Sequence, residues 1–231
     1  VLPSAKIDAQ KLAHLSPRQR EELLSVLDDF PDVFSDTPGL CTAIEHEIPL
    51  VDGFKPRVMR AYKVPENYRA KVDRQIAELL RLKFIESSTS PQVSPLVCVL
   101  KPPDSEGKRA VRICEDYRYV KFVNQHTKSS ASVLEDITDI IQYVGNSNYI
   151  SKFDANSGYH QCPVKQEDRW LTAFVHGTSV YQFTRTPFGM KSSGDTFVRS
   201  LRRVLTTVSR FTKAFVDDCA VHSNNWQNHL V

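Results

Sequence analysis

Leu23, Leu24 and Leu27 fall on one side of a helix, and the residues ahead of them read as its start. Ser16 stands at the capping position, Pro17 at the first helical position and Gln19 at the capping-box position. Pro31 closes the pattern. The stretch 35–55 is rich in Pro, Gly and Asp and predicts an extended linker. A second helix begins near Pro65. Tyr68, Val72, Ile76, Leu79 and Leu80 recur there at helical spacing, while Arg69, Lys71, Arg74 and Arg81 take the other face. A polar loop at 87–91 follows. The apolar runs 96–100 and 110–114 flank a polar turn at 102–107 and predict a hairpin with a long tip.

Further on, Ser132 and Glu135 form a capping box. The helix they open carries Leu134, Ile137, Ile140, Ile141 and Val144, with Gly145 as its C-terminal cap. Residues 149–154 predict a strand. The runs 171–175 and 180–184 predict a second hairpin around 176–179. Residues 195–207 predict an amphipathic helix with Phe197, Leu201, Val204 and Leu205 on one side. Apolar strands at 211–216 and 219–223 flank Asp217-Asp218. This order predicts an α+β fold, an antiparallel sheet backed by helices.

Composition changes the picture in three ways. No apolar run reaches the roughly 18 residues a membrane span needs, and the start lacks a charged region leading into an apolar one. It also lacks an initiator Met, so the chain reads as a fragment or processed piece. The five cysteines are scattered with no C-x-x-C pair, which argues against a disulfide framework or structural zinc and for a reducing compartment with the thiols as small core residues. Charge is uneven. Residues 1–50 hold nine acidic and four basic residues, a net −5, so the remainder carries +8 of the overall +3. A basic body suits a polyanionic partner.

The chemistry sits on carboxylates. Asp217-Asp218 alone is an ordinary surface turn. Asp154, at the end of another apolar strand, alters that reading, because neighbouring strands would bring three carboxylates to one sheet edge. Three such anions need a cation, and oxygen-only ligands suit Mg²⁺ or Mn²⁺. Two such ions serve nucleotidyl transfer. The seven histidines show no ligand spacing.

Several ordered stretches carry a resemblance. Asp154-Ala155-Asn156-Ser157-Gly158-Tyr159-His160-Gln161 resembles the D-L-x-S-G-Y-H-Q motif of LTR-retrotransposon reverse transcriptases. Thr186-Pro187-Phe188-Gly189-Met190 resembles their M-P-F-G-L motif, Phe215-Val216-Asp217-Asp218 their Y-x-D-D box, and Arg112-Ile113-Cys114-Glu115-Asp116-Tyr117-Arg118 their R-x-C-V-D-Y-R. Ser88-Thr89-Ser90-Pro91, Ser94-Pro95 and the closing Ser223, Trp226 and His229-Leu230 fit the gypsy-like branch.

The resemblance implies fingers and palm of an RNA-directed DNA polymerase: 1–50 as an acidic lead-in, 51–148 mainly fingers, 149–231 palm, the two interleaved, with the family's thumb, RNase H domain and protease absent. It implies that Asp154 and Asp217 bridge two Mg²⁺ ions, Mn²⁺ being the alternative, with Asp218 completing the cluster. Arg112, Ala155, Tyr159, Phe188 and Gly189 would contact the dNTP: Tyr159 as a ring that refuses a 2′-OH, Arg112 on the triphosphate, Gly189 because a side chain would block the nucleotide. The partners implied are an RNA or DNA template with its primer, and dNTP; the setting is the cytoplasm, within a virus-like particle for an intact element. The competing readings are a truncated piece that grips nucleic acid without copying it, and another two-metal enzyme such as a nuclease. The chain departs from the pattern at Phe215, Cys219-Ala220, Gly194-Asp195 (usually Pro-Ala), Gln92-Val93 (usually Trp-Ala) and Pro102-Pro103, where the family has lysines.

Overall fold

The computed structural model describes residues 2–50, 52–103, 109–118, 136–190 and 192–231. The helices are α1 (Pro17–Asp28), α2 (Glu66–Arg81), α3 (Ile137–Gly145), α4 (Ser193–Leu205) and the short α5 (Trp226–His229). The strands are β1 (Ile85–Ser87), β2 (Ser94–Pro103), β3 (Arg109–Glu115), β4 (Tyr149–Asp154), β5 (Phe174–His176), β6 (Ser179–Phe183), β7 (Thr212–Phe215) and β8 (Asp218–Ser223). Contacts divide the chain into two units. One comprises Val1–Gly39, Val133–Gly158 and Leu201–Val231, the other Leu40–Ser132 and Tyr159–Ser200.

The first unit is built on the antiparallel sheet β4-β8-β7. Its α1 starts as the sequence predicts. The Gln19 amide donates to Ser16 Oγ at 3.3 Å, and the Ser16 amide donates to Gln19 Oε1 at 3.1 Å. That reciprocal pair satisfies two amides with no partner inside the helix. The indole Nε1 of Trp226 donates to the Glu22 carboxylate at 2.6 Å and ties α1 to α5. The Ser132–Glu135 capping box lies outside the described residues. The α3 that follows is capped by Asp136, whose carboxylate accepts from the Thr138 amide at 2.7 Å. Its C-cap is Asn146 rather than Gly145. Of the expected stripe, Leu134 lies outside the described residues; Ile140 and Val144 are buried, while Ile137 and Ile141 stay exposed.

The second unit holds a mixed sheet, β1-β6-β5-β2-β3, antiparallel except where β2 runs parallel to β5. Val72 and Ile76 of α2 pack with Ile85, Leu96, Val111, Phe174 and Phe183 into its core. Leu80 lies at the edge of the α2 stripe, about 120° round the helix from Tyr68 at 100° per residue, and is exposed. The helix closes without glycine. Lys83 takes φ +57°, its amide donates to Leu80 O at 3.0 Å and the Phe84 amide to Leu79 O at 2.9 Å. These two bonds make a Schellman closure. The expected strand 171–175 is shorter, because Gln166–Thr172 is a 3₁₀ helix; β5 and β6 are joined through Gly177 and Thr178, with Gly177 at φ +61°.

Two expectations are corrected by packing. The stretch 35–55 holds no named helix or strand, yet it contributes to the core. Ile48 joins Tyr117, Val164, Leu171 and Met190 in a second apolar cluster, and His46 is fully buried. In α4, Val204 is exposed, and the buried positions are Ser193, Thr196, Phe197, Val198 and Ser200. Hydroxyls make that face. Ser193 Oγ donates to Pro187 O at 2.8 Å, Thr196 Oγ1 meets His46 Nδ1 at 2.8 Å, and Ser200 Oγ meets Cys41 Sγ at 3.0 Å. A stripe of hydroxyls that finds its partners in the fold reads as polar in sequence. All five cysteines are free thiols, and only Cys162 is buried.

Candidate active site

The acidic residues stand at the ends of the sheet in the first unit. Asp154 is the last residue of β4 and Asp218 the first of β8, and the two face each other across the ladder. Paired residues of an antiparallel ladder share a sheet face, so the two carboxylates emerge on the same side. Asp218 also pairs with Phe215 of β7, so Val216 and Asp217 alone make the connection. Such a two-residue turn needs positive φ, and Val216 supplies it at +57°. A β-branched residue in that region carries about 1–3 kcal/mol of strain. The Ala155 amide donates to Asp217 O at 3.1 Å, which fixes the turn to the end of β4.

Asp154 and Asp217 are exposed and Asp218 half-buried. Lys152, two positions before Asp154 on β4, places its Nζ 3.0 Å from Asp218 Oδ2. That contact raises the Lys152 pKa, and the charges of Asp154 and Asp217 add to the shift. One ammonium thus feels all three carboxylates. Among the described residues, however, no three His, Cys, Asp or Glu side chains form a cluster able to hold a metal ion. The strand placement is as expected: Asp154 and Asp218 share one ladder position, Asp218 is engaged by Lys152, and Asp217 stands in the turn tied to Ala155.

The other candidate residues lie in the second unit, apart from Ala155. Tyr159 lies in the 3₁₀ turn Gly158–Gln161, which follows Ser157 at φ +48°. Its ring lies 5.1 Å from Phe188 and 5.8 Å from Phe197. The Arg112 guanidinium stacks over Phe188 at 5.1 Å. Gly189 adopts φ +90°, and a Cβ there would come within 3.4 Å of Glu115 O and 3.8 Å of the Tyr117 ring. The backbone conformation by itself favours glycine here, beside the reason expected from the resemblance, clearance for the nucleotide.

Sequence reading missed the supports of this cluster. His160 meets Phe188 edge-on at 4.9 Å, stacks against Phe183 at 6.0 Å and has its Nδ1 3.0 Å from Thr186 O. Burial pushes its pKa down to about 4, so the ring is neutral and Nδ1 carries the proton toward that carbonyl. Glu115 is buried, and burial pushes its carboxyl up to about 8. Asp116 behaves oppositely. The Arg118 guanidinium beside it, helped by the Tyr62 hydroxyl at 3.0 Å, holds its carboxyl down to about 2. Period-2 spacing from Asp154 marks Lys152 in sequence; nothing marks His160 as a prop.

The sequence profile of the reverse transcriptase (RNA-dependent DNA polymerase) family matches residues 74–231, well over half of the chain. The chain belongs to the reverse transcriptase family. It is 32% identical over 223 residues to the retrovirus-related Pol polyprotein from transposon opus of Drosophila melanogaster, covering 94% of this chain and 22% of that polyprotein. The chain thus spans about a fifth of that relative. With the Pol polyproteins from transposons 297 and 412, this bears out the kinship with gypsy-like LTR retrotransposon reverse transcriptases. The fold agrees. Prototype foamy virus protease-reverse transcriptase superposes with a TM-score of 0.81 at 21% identity, over 99% of this chain and 30% of that one. The foamy viral protease-reverse transcriptase in complex with an RNA/DNA hybrid gives 0.74 at 20% identity, over 97% and 30%. The architecture is that of reverse transcriptase fingers and palm, and the family uses divalent metal ions. No helix among the described residues is long and apolar enough to cross a membrane.

Proposed function

We propose that this chain carries RNA-directed DNA polymerase chemistry, the transfer of a nucleotidyl group from a dNTP to a primer 3′-OH on an RNA or DNA template. The observation that supports it most is the pairing of Asp154 with Asp218 at the ends of adjacent strands, with Asp217 tied alongside by the Ala155 amide. The donor set fits hard divalent cations: the ligands are carboxylate oxygens, accessible to solvent, and a single ammonium already senses all three. Asp154, Asp217 and Asp218 would hold two Mg²⁺ ions, with Mn²⁺ as a substitute. Ions held by these carboxylates would supply a lowered pKa at the attacking hydroxyl and charge neutralisation at the leaving pyrophosphate.

The remaining roles belong to the chain's own groups. Tyr159 presents a half-buried ring, flanked by two aromatic neighbours, suited to refusing a ribose 2′-OH. Arg112, aligned by stacking on Phe188, offers forked donors for a triphosphate. Ala155 and Gly189 complete the proposed nucleotide contacts. Residues 51–148 would serve mainly as fingers and 149–231 as palm. The setting is the cytoplasm, within a virus-like particle where the chain is part of an intact element.

Primer extension on poly(A)–oligo(dT) with Mg²⁺ tests the reading. Extension that EDTA stops is the expected result. Binding of the primer–template without extension would instead favour a piece that grips nucleic acid, and cleavage of it a nuclease.

A further inference from the structure

The ring of Tyr159 is located from its sides and left open at its tip. Phe188 flanks it at 5.1 Å with an interplanar angle of 42°, and Phe197 at 5.8 Å and 61°. Its hydroxyl is directed at Gly194, the second residue of α4. A methyl built on Gly194 would lie 3.5 Å from the Tyr159 hydroxyl oxygen, and no other described atom comes within 4 Å of that methyl outside the helix's own backbone and the chain neighbours of Gly194. Among the described residues the hydroxyl makes no hydrogen bond. Among the described residues, the glycine therefore leaves about one methyl's worth of space at the end of the ring. Gly194 does not have a positive φ, so its backbone conformation does not demand glycine.

A side chain that discriminates by clash is only as strict as its own immobility. A ring free to slide or tilt into unoccupied space yields to an extra hydroxyl at the cost of a displaced rotamer instead of a hard overlap. We propose that Gly194 is a specificity-determining positioning residue: the space it leaves behind the Tyr159 hydroxyl softens the sugar gate and sets how strictly ribonucleotides are refused. This rests on the reading of Tyr159 as that gate. The distance of 3.5 Å is ordinary van der Waals contact, so a methyl at position 194 fills the space without moving the ring. Alanine also favours helix over glycine, so Gly194→Ala keeps or strengthens α4, and a loss of fold cannot imitate the effect.

The test is the ratio of kcat/KM for dTTP over UTP in single-nucleotide addition to a primer–template. It is read for the wild-type chain, Gly194→Ala, Tyr159→Ala and the double variant. The same ratio is read as equilibrium affinity with a dideoxy-terminated primer, so that slow turnover does not hide it. Gly194→Ala should raise discrimination about two- to tenfold, the range an off-rotamer displacement is worth. In the Tyr159→Ala background the same substitution should leave the ratio unchanged. Unchanged discrimination in Gly194→Ala, with Tyr159→Ala relaxing it, overturns the role of Gly194 and leaves the gate standing. An increase that persists without the Tyr159 ring overturns it too, because the effect then bypasses the tyrosine. If Tyr159→Ala does not relax discrimination, the gate itself is refuted.

Discussion

The acidic strand ends of the first unit and the aromatic cluster of the second are built on opposite principles. Asp154 and Asp217 are exposed, packed against little, and held in place by the backbone: a ladder, a two-residue turn and one amide from Ala155. Tyr159, Phe188 and Arg112 are held by side chains: rings at 4.9 to 5.8 Å and a guanidinium stacked at 5.1 Å. Charge in the first region is free to act because the fold asks nothing of it. In the second region the same residues that would meet a ligand also pack on one another. Substitutions should therefore separate function from stability in the first region and join them in the second.

The largest effect is expected in the first region. Asp154→Asn removes one charge and no packing, so nucleotide addition should fall by roughly 10³-fold, the scale of losing one electrostatic stabiliser, while the urea midpoint stays within error. A midpoint that drops with activity would make Asp154 a structural residue and break the contrast.

Glu115 gives the second-largest effect, and its sign follows from burial. Its pKa is raised in the fold to about 8, against about 4.3 for an unfolded glutamate. The folded state therefore binds the proton more tightly. The stability this contributes is complete below about pH 4.3 and is lost as pH rises through 8. His46 and His160 act in the opposite sense. Burial lowers both to about 4, so their contribution is present above the usual imidazole pKa of about 6.5 and is lost as pH falls toward 4. Urea unfolding of the wild type between pH 5 and 9 should show declining stability on the alkaline side, and Glu115→Gln should abolish that decline. Glu115→Val should raise the midpoint at pH 8, because an apolar side chain replaces a buried carboxyl. An alkaline limb unchanged in Glu115→Gln would assign it to another group.

Much of this was legible in sequence, and the illegible part has a pattern. The second-unit helix α2, the capping box of α1 and the strand before Asp154 announced themselves through period and caps. The paired acids were visible because strand ends and ordered motifs mark them. What stayed hidden is what depends on partners distant in sequence. The hydroxyl face of α4 reads as polar until Cys41, His46 and Pro187 arrive to satisfy it. His46 and Ile48 look like linker until the segment is laid against Val164. His160 stands inside a motif whose letters do not say that it props Phe188. The letters around Gly189 do not show that its backbone stands at φ +90°, a conformation that itself favours glycine.

The smallest effect concerns the turn between the acids. Val216→Gly relieves the left-handed backbone and should raise stability by about 1 kcal/mol, strain of 1–3 kcal/mol being partly offset by the entropy of glycine. Thermal unfolding monitors it. A lower melting temperature would mean that packing of the valine side chain outweighs the strain.

The division of labour between the two regions is tested most directly by steady-state addition of dTTP to a poly(A)-templated primer, with kcat and KM resolved for Asp217→Asn and Phe188→Ala side by side. The account predicts that Asp217→Asn loses kcat with KM for dTTP little changed. It predicts that Phe188→Ala, which strips Arg112 and Tyr159 of their common support, raises KM about tenfold or more with the smaller loss in kcat. Wild-type kcat retained in Asp217→Asn would contradict it.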